Sequence, residues 1–476
     1  MCALDSAVIA GGSKPAAARN CQPPGEYRAR NPLKNPLNRL VLDNLAEFEA
    51  WLKDPPSGKP RPHPAVIAAL EKFSECGVLR YGAVRYRCPE CGYDVFVAFS
   101  CKRRGLCPSC DAKRSAIMVA AALDRLLPPA RYRQWVLVIP KRLRYFVNSR
   151  PELSGYLSKL LAHEINRYLK QKAAGVPAQL HFIQRFGGAL NLHIHIHAVV
   201  SDGTFILETN ALGLNRLLFR RVDGPDDQEL ENIVCAIRRK LLRRLVRLGC
   251  LPPEAAGEML NWENSGFSLH KEVVIYPDNR PGLERLLGYC SRPALSLKRL
   301  IYAAKSKIVI YRAERHDNQP EIMTMKPVEF LRRWGLLMPP PHKNLVHYYG
   351  ALAPRSPLRA ALTEQAGKEV EKIKAAERTE KLKKKACSWA ACLARVFEVF
   401  PLICPKCRLE LKPVAVILED KELVRLLNHF GLPTEFPAFS PSPVQYAAKR
   451  GPPDEDSQLN PLADQYDNID PPSPED

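Results

Sequence analysis

At 476 residues and 46% hydrophobic, the chain is long enough for two to four domains of about 100 to 200 residues each. No run of about 18 apolar residues could cross a membrane, and "MCALDSAVIAGG" has too short an apolar patch, with no basic residue before it, for a secretory signal; a cytoplasmic, membrane-free protein is expected. Net charge is +21, and the last 26 residues hold eight acids with no Lys or Arg, leaving +29 on the rest: a balance that points to a polyanion, most often nucleic acid.

Residues 1–40 are Pro-rich and lack periodicity, which predicts a flexible lead. "LVLDNLAEFEAWL" and "PAVIAALEKFSECG" read as amphipathic helices, the second ending near Gly77. Cys88-Pro-Glu-Cys91 and Cys107-Pro-Ser-Cys110 follow, two C-x2-C pairs fifteen residues apart. That spacing predicts four thiolates around one tetrahedral zinc, in a helical and zinc-binding domain over 41–125. Cys76 and Cys101 lie nearby and are expected to be buried thiols rather than ligands. Lys102, Arg103 and Arg104 sit between the pairs, where a metal-stapled loop could grip phosphates.

A helix "AKRSAIMVAAALDRLL" stops at Pro128-Pro129. "YRQWVLVIP" then reads as a buried strand, "ELSGYLSKLLAHEINRYLKQKA" as a long helix, and "AQLHFIQRFG" and "LNLHIHIHAVVSDG" as two strands. In the last of these, His193, His195 and His197 occupy every second position, so their imidazoles share one face and Ile194 and Ile196 the other. Three of eleven histidines within five residues point to a metal site, against the plainer reading of a polar strand face. A linker is expected from Gly203 to Gly224, then a basic helix "DQELENIVCAIRRKLLRRLVRLG". The order of strands and helices predicts an α+β palm with a mainly antiparallel sheet over 130–350.

"DNRPGLERLLGYCSRPALSLKRL" opens a short helix at Pro281 that must end by Pro293. Tyr289 lies near its end, beside Arg292, Lys298 and Arg299, cations that could hold a phosphate against a tyrosine nucleophile. "PPPHKNLVHYYG" reads as a proline turn packing aromatics rather than as a DNA contact. Residues 351–433 predict a charged helix and a small C-terminal unit. Its Cys404 and Cys407 supply two thiolates that Cys387 and Cys392 could complete. The acidic, Pro-rich 434–476 predicts disorder.

These motifs, in this order, resemble the rolling-circle transposases of insertion-sequence family ninety-one and its common-region relatives, within the His-hydrophobe-His (HUH) nuclease superfamily. The matching segments are "CGVLRYGAVRYRCPECGYDVFVAFSCKRRGLCPSC", "WVLVIPKRLRYFV", "LNLHIHIHAVVSDGTF", "YCSRPALSLKRL", "PPPHKNLVHYYGALAPRS" and "ICPKCRLELKPVAVI", spanning roughly 40–433. The resemblance implies an HUH-type palm preceded by a zinc-ribbon-like domain. It assigns Cys88, Cys91, Cys107 and Cys110 to structural zinc, His195 and His197 to the paired-histidine motif with His193 additional, and Tyr289 to the nucleophile. Two-tyrosine members carry a second tyrosine four residues earlier; Arg285 stands there, so the chain resembles the single-tyrosine branch. A second protomer or reuse of Tyr289 would then complete strand exchange, and Tyr302, Tyr348 and Tyr349 are expected in other roles.

The implied chemistry is cleavage of single-stranded DNA at element ends. His195 and His197, with His193 or Gln184, would hold Mg²⁺ or Mn²⁺, and Tyr289 would form a 5′-phosphotyrosine for transfer to target DNA. Lys141, Arg142, Arg144, Tyr145, Arg292 and the basic helix from Arg238 to Arg247 are expected to grip the strand. A replication initiator or relaxase would share the nick, but no G-x4-GK[ST] helicase loop accompanies it. The reading of another class is a zinc-ribbon DNA-binding protein that does not cut.

Overall fold

In a computed structural model, residues 31–209, 215–262, 265–314, 320–368 and 404–440 are described. The N-terminal part runs α1 (Pro36–Lys53), α2 (Val66–Ser74), a hairpin of β1 (Ala83–Arg87) and β2 (Asp94–Ala98), and α3 (Pro108–Arg125). There follow β3 (Tyr132–Val138), α4 (Lys141–Ser149), α5 (Pro151–Lys172), β4 (Ala178–Phe186), β5 (Leu192–Ser201), β6 (Gly203–Thr209), β7 (Asn215–Arg221), α6 (Asp227–Arg247) and α7 (Pro253–Asn261). Next come β8 (Ser268–His270), β9 (Val274–Ile275), α8 (Arg280–Cys290), β10 (Leu300–Ala303), β11 (Ile308–Glu314), β12 (Pro320–Met325), α9 (Pro327–Leu337) and β13 (Val346–Gly350). Near the C-terminus lie β14 (Lys412–Ile417) and α10 (Asp420–His429).

The central sheet has the order β13-β4-β5-β3-β8, with β9 also on β3, and every pairing is antiparallel. The histidine strand β5 is therefore interior, paired on both edges. Its alternation does what period two requires. Ile194, Ile196, Ala198 and Val200 face one way into a core built with α4, α5, α6 and α7. On the opposite face, Tyr132, Leu180, Phe182 and Val199 pack against α3 and α8. Ile194 and Ile196 are both fully buried, worth about 2 kcal/mol or more each by area. The architecture is α+β, a helix-covered antiparallel sheet.

Local signals account for the element ends. Asp226 and Glu229 form a reciprocal capping box at the start of α6, and Pro151 opens α5. The stretch expected as a linker after Gly203 is instead the hairpin β6–β7. Residues 203–209 and 215–221 pair along their length, and the Phe205 and Phe219 rings meet at a tilt, 5.0 Å between centroids. Gly203 has φ +152, and a Cβ there would lie 2.2 Å from the Arg220 carbonyl oxygen, so the turn requires glycine.

Asp202, 4% exposed, receives a two-pronged pair from Arg133 at 2.8 and 2.9 Å and lies 3.0 Å from Arg131. Asp202→Ala would strand two cations at the sheet end. The expected loss is about 3–5 kcal/mol in chemical denaturation, and a loss under about 1 kcal/mol would show the pair to be solvent-screened.

Two further cores flank the sheet. α1, α2 and α9 pack on the small sheet β10-β11-β12 through Leu40, Phe48, Trp51, Phe330 and Trp334. The C-terminal unit is not separate, as its distance along the chain suggests: β14 pairs with β1 in the sheet β14-β1-β2, and Leu423 and Leu427 of α10 cover Phe96. The charged helix expected from 363 falls mostly outside the described residues, as do Cys387, Cys392 and the acidic tail beyond 440.

Candidate metal centres and tyrosine site

The sulfurs of Cys88, Cys91, Cys107 and Cys110 do not meet at one point, as a single shared site would require. They divide between two quartets, Cys76-Cys101-Cys107-Cys110 and Cys88-Cys91-Cys404-Cys407, each with all four sulfurs within 4.8 Å of one another. The reason is the hairpin. Cys88 and Cys91 form its turn, whereas Cys107 and Cys110 lie beyond its open end, so the five residues of β2, about 17 Å, separate the pairs. At that open end the Gly77 amide donates to the Phe99 carbonyl at 2.9 Å, which brings Cys76 and Cys101 together.

In the first quartet Cys76–Cys110, Cys101–Cys110 and Cys76–Cys107 are each 3.7 Å apart. Four sulfurs at about 2.3 Å from a tetrahedral zinc must lie about 3.8 Å from each other. The Cys101 amide donates to the Cys76 sulfur at 3.4 Å, and that of Arg103 to the Cys101 sulfur at 3.5 Å, bonds that favour thiolates. The donor set fits a structural zinc ion. The sequence reading missed Cys76 and Cys101 as ligands. The signal was arithmetic: three C-x2-C pairs and two single cysteines make eight thiols, enough for two complete sites.

The histidine strand presents His193, His195 and His197 on the α8-facing side, 7%, 9% and 3% exposed. Neighbouring ring centroids are 4.7 and 4.8 Å apart. Nδ1 of His195 lies 3.0 Å from the His193 carbonyl oxygen, to which it donates, turning Nε2 outward as a ligating imidazole requires. The Gln134 carboxamide lies 2.8 Å from Nδ1 of His197, and Nε2 of His197 has no hydrogen-bond partner among the described residues. A half-turn of that carboxamide lets its oxygen accept from Nδ1–H, the tautomer that leaves Nε2 open. Gln134 is a further residue that the sequence did not single out.

Burial pushes His195 down to about 4, opposed by its backbone hydrogen bond and reinforced by Arg292 and Arg144. Burial, then His195 and Arg292, hold His197 well below the ordinary imidazole range. Both are neutral, the form that binds metal. On the other sheet face burial also takes His181 down to about 3. For His195 and His181 the unfolded chain takes up protons below about pH 6.5 and the folded chain does not until about pH 4 and about pH 3 respectively. Stability is therefore complete above pH 6.5 and is lost as pH falls, by about 1.4 kcal/mol per unit for each group. Denaturation midpoints between pH 7 and 5 should drop steeply, less so in His181→Asn; a flat profile would contradict the assignment.

Tyr289 arrives at the same place from α8. Its ring meets that of His197 edge-on, 5.4 Å between centroids, and is 48% exposed. Gln184, directly across from His195 in the β4–β5 register, donates to the carbonyl oxygens of Tyr289 at 3.2 Å and Cys290 at 2.9 Å. It ties the end of α8 to the histidine strand, and its buried Oε1 has no hydrogen-bond partner among the described residues. Ser291 Oγ lies 2.6 Å from Ser115 Oγ, a second tether, to α3. The Arg292 guanidinium lies 4.8 Å from the Tyr289 ring centroid and 5.6 Å from that of Phe186.

The expected cations separate into groups. Lys102 and Arg103 are exposed on the loop between Cys101 and Cys107, while Arg104 is half-buried and donates to the Pro340 carbonyl. Lys141 and Arg142 are half-buried at the start of α4, and Tyr145 is 57% exposed. Arg144 is not an open strand contact: it is 4% exposed and donates to the Ile139 carbonyl at 3.2 Å, placing its charge near His195. The basic helix α6 packs on the isoleucine face, behind the sheet from the histidines, with Lys240 paired to buried Glu164. Tyr349 donates to Ser158 on that same far face, and Tyr302 donates to Asp43 in the α1 core.

The chain thus joins cysteine quartets to an α+β sheet on which a tyrosine meets a row of histidines, and comparison with known proteins supplies the class. Residues 47–139 match the family model "Transposase zinc-binding domain" and residues 179–360 match the model "Putative transposase". A protein of Sinorhizobium fredii described as "Putative transposase y4qJ" is 24% identical over 314 residues, 61% of this chain and 74% of the relative. No solved structure matches. Both regions are thus similar to transposases, the first to the zinc-binding domain of insertion-sequence family ninety-one. DNA is therefore its partner. Among the described residues no helix is long and apolar enough to cross a membrane.

Proposed function

We propose that this transposase cuts and rejoins single-stranded DNA at element ends through Tyr289, as an HUH-type nuclease of rolling-circle transposition. The observation that carries the reading is the convergence of the α8 end on the central strand: Tyr289 against His197, with Gln184 bonded to the tyrosine's own carbonyl. His195 and His197, with Gln184 or His193, would hold Mg²⁺ or Mn²⁺. Neutral imidazoles and the open Gln184 Oε1 and His197 Nε2 suit that role. When bound, the ion would polarise the scissile phosphate.

The chain's own residues supply the rest. The exposed Tyr289 hydroxyl gives up its proton and attacks phosphorus: the Oη–P bond forms, the P–O3′ bond breaks, and the 3′ oxygen leaves and takes up a proton, so none is gained or lost overall. Gln184 and Ser115 fix the helix end that presents the ring. Arg292 places positive charge beside the ring where the phosphate must sit. The phosphotyrosine conserves the phosphodiester's energy, so a 3′-hydroxyl can later displace it without ATP. Lys141, Arg142 and Tyr145 on α4, with Lys102 and Arg103, are the proposed strand contacts. The test is Mn²⁺ dependence. His197→Ala should retain binding to single-stranded end oligonucleotides, lose nicking by about 10²-fold or more and require more metal. Full nicking by His197→Ala without added metal would remove the metal from the account.

A further inference from the structure

We propose that Cys88, Cys91, Cys404 and Cys407 hold a second zinc ion, which clasps the C-terminal segment onto the β1–β2 hairpin. Cys404 and Cys407 lie outside both matched family regions, and Cys404 is 313 residues from Cys91. Their sulfurs nevertheless approach to 3.5 Å, and the whole quartet meets within 4.8 Å. That fits the roughly 3.8 Å edge of a zinc–thiolate tetrahedron.

The two halves are built alike, which is the independent support. Each is Cys-Pro-x-Cys followed by a residue in the left-handed region, Gly92 at φ +69 and Arg408 at φ +59. In each, that residue's amide returns to the first cysteine's carbonyl, Gly92 to Cys88 at 3.1 Å and Arg408 to Cys404 at 2.9 Å. The first cysteine's amide in turn bonds two residues beyond the second cysteine, Cys88 to Tyr93 at 2.9 Å and Cys404 to Leu409 at 2.7 Å. The Cys407 amide also donates to the Cys404 sulfur at 3.5 Å. Arg408 holds a left-handed conformation that costs a non-glycine residue, and metal ligation is a reason to keep it. Two matched thiolate turns facing one point make a four-sulfur site for a soft divalent ion.

The ion's place in the fold gives it a task. Arg87, next to Cys88, pairs with Lys412, so the site sits at one end of the β1–β14 ladder, and Arg80 grips Asp420 at 2.8 Å toward the other. Closing so long a stretch of chain costs entropy that a short edge strand recovers poorly, and metal binding offsets it. The first quartet takes no ligand from beyond residue 110, so the two ions are separable.

Native mass spectrometry of the full chain should find two zinc ions. Cys404→Ser with Cys407→Ser should keep one and lose hydrogen-exchange protection over 412–417, while 192–201 stays protected. Cys88→Ser with Cys91→Ser should do the same. One zinc per wild-type chain, or two in the Cys404/Cys407 variant, would overturn the proposal. Should the variants fail to fold, Co²⁺ titration of the metal-stripped wild type decides: two equivalents with thiolate-to-cobalt absorption support it, and saturation at one overturns it. No arm depends on nuclease activity.

Discussion

Tyr289→Phe is expected to abolish covalent capture of DNA, with nicking of a labelled end oligonucleotide reduced by at least about 10³-fold. The substitution is clean because it removes one oxygen. The phenylalanine ring keeps the edge contact with His197 and the stacking of Arg292, and at 48% exposure the hydroxyl holds up no core. Stability should change by less than about 0.5 kcal/mol and binding of single strands should persist. Nicking at wild-type rate by this variant would move the nucleophile elsewhere. Tyr302, Tyr348 and Tyr349 are poor replacements: Tyr302 and Tyr349 bond in other regions, and Tyr348 packs on the α3–α8 core beside Arg359.

Cys107→Ser should have the largest effect on folding. Cys107 is 1% exposed and belongs to the core that joins α1, α2 and α9. A structural zinc contributes about 10–16 kcal/mol of apparent binding energy, comparable to or above the 5–15 kcal/mol that holds a typical domain folded. Loss of one thiolate should therefore give a chain that is largely insoluble or melts well below the wild type, with about one zinc fewer by elemental analysis. Cys235→Ser, outside both quartets, is the control and should melt within a few degrees of wild type. Unchanged melting of Cys107→Ser would show that the quartet carries no structural metal.

The central strand was legible because one physical rule suffices for it. Period-two alternation sends Ile194 and Ile196 to one core and the histidines to the other face, whatever the neighbours are. The Tyr289 helix was legible for a similar reason, being bounded by Pro281 and Pro293. The metal partners were not, because C-x2-C spacing tells that two thiolates share an ion but not which other two complete it. That choice is made by hairpin length and by the β1–β14 pairing, both long-range. The place of α6 was not legible on similar grounds: its charge pattern shows a solvated face, but only packing tells on which side of the sheet that face lies. Gln134 gave no signal at all, since its value lies in the cross-strand register that sets it beside His197.

The most direct measurement is to map the adduct. Wild-type protein is incubated with single-stranded end oligonucleotides and Mn²⁺, digested with nuclease and trypsin, and sequenced by mass spectrometry. The nucleotide should be found on the peptide containing Tyr289, attached through its 5′ phosphate. Attachment to any other residue, or nicked DNA with no protein-linked product, would contradict the tyrosine mechanism.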